Sequence, residues 1–143
     1  MGQITDSEEI AAEPAEVWRV AGDFHGLHRW HPGVASSEAE EGGGRRRLTT
    51  VDGAIIVEDR LPANDERTYR YAIVESGLPM TRHQATLSVI PGPRGSVVRW
   101  ECEFDSPSPE AEGIVTNVLG QVFRSGLSAL AAKFAAGRGA QAG

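Results

Sequence analysis

SPEAEGIVTNVLGQVFRSGLSALAAKF, residues Ser108–Phe134, carries a helical period. Stepping about 100° per residue from Ile114, Val118, Val122, Val115, Leu119, Leu130, Phe123, Phe134 and Leu127 fall on one side. The arc covers roughly half the circumference, against about 100° for an ordinary surface helix. Asn117, Gln121, Arg124 and Ser128 take the other side. Ser108 can serve as N-cap, Pro109 suits the first helical position and Gly137 can end the helix. Gly113, Gly120 and Gly126 interrupt it, each costing about 1 kcal/mol relative to Ala. Either the backbone there approaches a neighbour closely or room is left for a ligand. So broad an apolar arc needs a concave partner, and the chain before it offers strands.

Upstream, Gln3–Ala12 reads as a strand with Ile4 and Ile10 in phase; Asp6 and Glu8 on the same face mark an edge. Pro14 opens a short helix over Ala15–Ala21, and a second follows from Phe24 to Trp30, ended by Pro32-Gly33. Six strands then follow at Val34–Glu40, Arg45–Val51, Ala54–Leu61, Thr68–Glu75, His83–Ile90 and Ser96–Phe104. Between them lie the glycine run Gly42-Gly43-Gly44, the hairpin signal Asp52-Gly53, Asn64-Asp65, Gly77-Leu78-Pro79 and Pro91–Gly95. One strand, two short helices, six hairpin-linked strands and a long helix is an α+β order. It predicts a seven-stranded curved antiparallel sheet wrapped around the C-terminal helix, with the two short helices between strands 1 and 2. Residues 1–137 form one domain in this reading, and 138–143 a flexible tail.

The 143 residues carry a net charge of −6, which argues against a nucleic-acid partner. No apolar run reaches the ~18 residues of a membrane span, and the polar N-terminus lacks a secretory apolar core. The single cysteine, Cys102, excludes an internal disulfide and fits a reducing cytoplasm. The sequence implies no cofactor and is compatible with a homodimer. His25, His28 and His31 form a His-x-x-His-x-x-His run, but on a helix these drift around the axis rather than converge, so no metal site is assigned.

Strand alternation selects which polar side chains share a face with the apolar ones. In the third strand these are Arg46 and Thr50 beside Leu48; in the fourth, Asp59 in step with Ile55, Val57 and Leu61. The fifth contributes Tyr69 and Tyr71 with Ile73, the sixth His83 with Ala85, and the seventh Trp100 and Cys102. Trp30, Leu78, Met80, Val122, Phe123 and Gly126 complete the expected lining. A His with a neighbouring carboxylate supports proton transfer near neutral pH. His83 with Asp59, assisted by His31 and Tyr71, therefore forms a candidate acid–base set. Arg46 near the mouth is a candidate holder of an anionic or carbonyl-bearing ligand. Cys102 has no nucleophile signature and reads as a small apolar residue.

Glu13-Pro14-Ala15-Glu16-Val17-Trp18, Trp30-His31-Pro32, Asp59-Arg60-Leu61, Leu78-Pro79 before His83, and Trp100–Phe104 occur in an order that resembles the START-like, or Bet v 1-like, helix-grip superfamily. The resemblance covers nearly the whole chain and points to its polyketide cyclase/dehydratase-like branch. It implies a cavity between sheet and helix for a hydrophobic small molecule. It also implies that Asp59 falls where relatives often carry a pocket Glu, His83 where many carry a Tyr, and His31 near a Lys that meets a ligand carboxylate in plant hormone receptors. The expected activity is cyclisation, aromatisation or dehydration of a polyketide-like carbonyl compound. The alternatives are a non-catalytic carrier and a sensing module working through the loops around Asp52-Gly53 and Leu78-Pro79.

Overall fold

The computed structural model describes residues 2–142, and side chains as far as residue 135. The order is β1 (Gly2–Ile10), α1 (Pro14–Ala21), a 3₁₀ segment (Phe24–Arg29), β2 (Val34–Glu40), β3 (Arg45–Thr50), β4 (Ile55–Leu61), β5 (Thr68–Glu75), β6 (Arg82–Gly92), β7 (Gly95–Asp105) and α2 (Pro109–Ala142). α2 runs on through Gly137, where a stop was expected, and takes in residues 138–142 of the stretch expected as a tail.

All seven strands join one antiparallel sheet in the order β1-β7-β6-β5-β4-β3-β2. Consecutive strands from β2 to β7 are hairpin neighbours, while β1 pairs with β7 at the far edge, Gly2 opposite Phe104 and Ile10 opposite Ser96. After β1 the chain must therefore travel from one edge of the sheet to the other. α1 and the 3₁₀ segment make that crossing, burying Val17, Ala21, Phe24 and Leu27. α2 returns over the concave face, along β1 and β7. This is the α+β helix-grip architecture.

At the start of α2, the Ser108 hydroxyl accepts the Ala111 N–H at 3.1 Å, as an N-cap does. Val115, Leu119, Phe123, Leu127 and Leu130 are buried against the sheet, and the Phe123 ring stacks on Trp100 with centroids 4.5 Å apart. The leading edge of the same arc stays outside: Ile114 is 52% exposed and Val118 41%. Five of the nine arc residues make core, Val122 and Phe134 pack partly buried against it, and Ile114 and Val118 stay outside. Asp6 and Glu8 of edge strand β1 bind Arg124 of α2, the Asp6 contact at 3.0 Å, so the polar residues on the inner side of β1 clamp the helix.

The alternation expected for β3, β5, β6 and β7 is present: Arg46 and Leu48, Tyr69 and Tyr71, His83 to Val89, and Val98 to Phe104 are buried on the inner face. β4 differs. Ladder partners share a face, and Leu48 pairs with Ile56, Arg46 with Glu58, and Tyr71 with Arg60. The inner face of β4 is therefore Ile56, Glu58 and Arg60, not Ile55, Val57, Asp59 and Leu61. A one-residue shift of phase moves every side chain to the opposite face. Val57 is buried, but on the outer face, with Arg47 and Glu75 beside it in the ladder and outside the central cluster. A register shift between Val57 and Glu58 against β5 accompanies this.

Candidate ligand-binding cleft

A cleft of about 600 Å³ opens where α2, the β3–β4 hairpin, the loop before β2 and the β5–β6 connection meet. Its walls are Val118, Leu119 and Val122 of α2, the hairpin residues Val51, Ala54, Ile55 and Ile56, and Leu78. The volume lies within the range of small-molecule sites. Val51 is 63% and Ile55 38% exposed, and with Val118 they place three of the six large exposed hydrophobics among the described residues at the mouth. Local sequence shapes this edge: Asp52-Gly53 turns the hairpin, with Gly53 at φ +89° and its N–H bonded to the Thr50 carbonyl.

One titratable ring forms part of the wall. His31 is buried; its Nε2–H donates to the Val122 carbonyl at 2.7 Å and its Nδ1 accepts the Gly33 N–H at 3.0 Å. A nitrogen that accepts an N–H carries no proton, so His31 is neutral with both nitrogens engaged. Burial also lowers its pKa, against the opposing pull of the Val122 hydrogen bond. Gly126 makes this possible. A Cβ there would lie 2.5 Å from His31 Cδ2 and 3.0 Å from Trp100 Cζ3, whereas at Gly113 and Gly120 it would meet nothing within 4 Å. Gly126 is a close approach, not a vacancy left for a ligand.

Of the expected lining, His31, Leu78 and Val122 border this cleft. Trp30, Leu48, Tyr69, Ala85, Trp100 and Phe123 are buried in the core cluster, with Ile73 and Met80 packed partly buried against it. Cys102 is buried beside Ala85 on β6 and Ile4 on β1, and burial pushes its thiol up to about 12, so it packs as an apolar residue.

The expected His83–Asp59 pair does not form. His83 is buried on the inner face, with Nδ1 accepting the Ile73 N–H at 3.0 Å and its ring 5.8 Å from Tyr71. Burial alone pushes its pKa down to about 4. Asp59 projects from the outer face and takes two hydrogen bonds from Arg45, at 2.6 and 3.2 Å, which hold its carboxyl below the usual range.

Arg46 is not at a mouth either. It is fully buried, 2.7 Å from Glu58 and 2.6 Å from the Phe24 carbonyl. Phe24, Tyr71 and Tyr69 rings surround its guanidinium at 4.1, 5.0 and 5.5 Å. Burial works to discharge Arg46, but Glu58 together with Tyr69 and Tyr71 outweighs it and the group stays charged. Glu58 itself is shifted upward by burial, against Arg46. Tyr71, whose hydroxyl accepts the Trp100 Nε1–H at 2.9 Å, is raised well above its ordinary value by burial.

The histidine run does not converge: His25 Nε2 lies 2.8 Å from the Gly43 carbonyl and His31 faces Val122. Glu58 escaped the sequence reading because Ile55, Val57 and Leu61 outvoted it in the alternation. A buried partner for Arg46 was the signal that could have found it. Among the cleft residues, Val118 was signalled by an arc wider than packing requires.

A comparison with curated proteins gave no match. Solved structures are closely similar. XoxI from Bacillus cereus is 34% identical with a TM-score of 0.87, covering 94% of this chain and 96% of that one. A protein from Thermobifida fusca is 32% identical with a TM-score of 0.81, over 94% and 93%. A START superfamily protein from Mycobacterium smegmatis, 15% identical with a TM-score of 0.74 over 92% and 96%, shares the fold. The family model described as polyketide cyclase / dehydrase and lipid transport matches residues 1–135, and the chain belongs to that family.

Proposed function

We propose that this protein binds and carries an apolar small molecule in the cleft between α2 and the β3–β4 hairpin. The observation that carries this is the divided apolar arc. Val118, with Val51 and Ile55 opposite, exposes contiguous hydrocarbon around a hollow, an arrangement that marks a binding site. The one titratable side chain in its inner wall has both nitrogens occupied, which favours binding over proton transfer. A cytoplasmic setting accords with the buried free thiol of Cys102. Titration with the neutral apolar dye Nile red tests the reading. Saturable binding is expected, weakened at least about tenfold by a carboxylate in the wall, as in Val118→Asp or Ile55→Asp. These exposed positions tolerate substitution without unfolding the core. Equal affinity of both variants and wild type would refute it.

Cyclase or dehydratase chemistry is the second reading, favoured by His83. Its Nε2 has no hydrogen-bond partner among the described residues, and Tyr71 stands beside it. That reading needs the substrate to reach past the cleft to the inner face. With a substrate that the wild type turns over, His83→Ala should then lower kcat by about 10²–10⁴. An unchanged kcat rejects it.

A further inference from the structure

The charge inventory of the cleft goes beyond the binding reading, on which it rests. Among the described residues of its wall there is no Lys or Arg. His31 cannot answer an anion, because Nδ1 is an acceptor to Gly33 N–H and the Nε2 proton is spent on the Val122 carbonyl. The Thr50 hydroxyl accepts the Ala54 N–H at 3.0 Å. The nearest interior cation on the same hairpin, Arg46, is neutralised by Glu58 and walled off by Phe24 and Tyr71. What remains at the rim is one carboxylate, Asp52, and the neutral groups of Gln121, Ser125 and Ser76.

We infer that the cleft discriminates by sign of charge, admitting neutral or cationic apolar molecules and rejecting those that end in a carboxylate or phosphate. An anionic head drawn into this wall would lose its water with no cation or free donor proton from His31 to replace it, and would face Asp52 as well. A neutral head loses little, and an ammonium can remain at the rim beside Asp52.

Displacement of Nile red by 1-decanol, decylamine and decanoate at pH 7.5 reads this directly, since chain length is held constant. Decylamine and decanol should each displace the dye at concentrations about tenfold lower than decanoate. Gln121→Lys, at an exposed wall position, should bring decanoate level with or ahead of decylamine, and Asp52→Asn should narrow the gap between the two ions. Decanoate matching decylamine on the wild type, or a ratio unmoved by Gln121→Lys, overturns the inference. Should Val118→Asp leave Nile red binding unaltered, the site itself is wrong, and the inference falls with it.

Discussion

Two ion pairs sit side by side on β3 and β4. Arg46–Glu58 and Arg45–Asp59 join neighbouring residues of the same two strands, each with an N–O contact of 2.6 Å. The first lies inside the aromatic ring of Phe24, Tyr69 and Tyr71, its guanidinium inaccessible to water; in the second both side chains are about one-third exposed. The pleat alone separates them. Residue type therefore says little about what a charge does in this fold. Which side of the sheet it occupies says nearly everything, because burial sets the cost of leaving either partner alone.

The sharpest way to break the contrast is to remove one partner on the inner side. Glu58→Ala should destabilise the protein by about 3–5 kcal/mol in urea unfolding, because Arg46 is left charged and unpaired. Replacing both, Arg46→Met with Glu58→Leu, should recover most of that loss. If the double variant is no better than the single one, lost packing and not the orphaned charge is responsible.

Acidification probes the inner face next. His83 is held neutral by burial, its pKa moved from 6.5 to about 4, so the unfolded chain takes up the proton first. The associated stability is intact above about pH 6.5 and is lost as pH falls towards 4, on the order of 3 kcal/mol over that window. His31 acts in the same direction, while Glu58, shifted upward, acts in the other. The diagnostic is the difference between wild type and His83→Asn, whose side-chain oxygen can still accept the Ile73 N–H. Parallel stability–pH curves for the two proteins would contradict this assignment.

The glycines of α2 extend the comparison to the helix. Gly126→Ala forces a methyl into His31 and Trp100 and should cost about 1–3 kcal/mol. Gly120→Ala meets open space and should stabilise by about 1 kcal/mol. Thermal midpoints moving in the same direction would show that helix propensity, not contact, governs both. The smallest effect belongs to the outer pair. Asp59→Ala should shift the urea midpoint by no more than roughly a fifth of the Glu58→Ala change.

Most of the architecture could be read from alternation and turns, because β3, β5, β6, β7 and the capped helix follow their local chemistry. Ser108, Asp52-Gly53 and the Trp100–Phe104 alternation each found the partner their residue type calls for. The site was less legible. β4 presents Val57 and Leu61 outward, with Val57 buried away from the central cluster and Ile55 bordering the cleft only at the hairpin end, so its strongest apolar phase pointed to the wrong face and carried Asp59 with it. Arg46 was placed on the correct face, but its depth depended on Glu58, one residue out of that phase. His31 was identified as a wall residue, although its engagement with Val122 relies on a contact 91 positions away, which no local pattern encodes.

The pairing of β1 with β7 carries a consequence for how the molecule reaches this state. Gly2 has to find Phe104, and Asp6 and Glu8 have to find Arg124, so the edge of the sheet and the seat of the helix are completed by contacts spanning most of the chain. Such long closures are paid in chain entropy before they yield stabilisation. Folding should therefore be slow for a domain of this size, with the β2–β6 meander preceding the docking of the first strand, and a ribosome would have to release the chain through β7 and the middle of α2 before the grip could close.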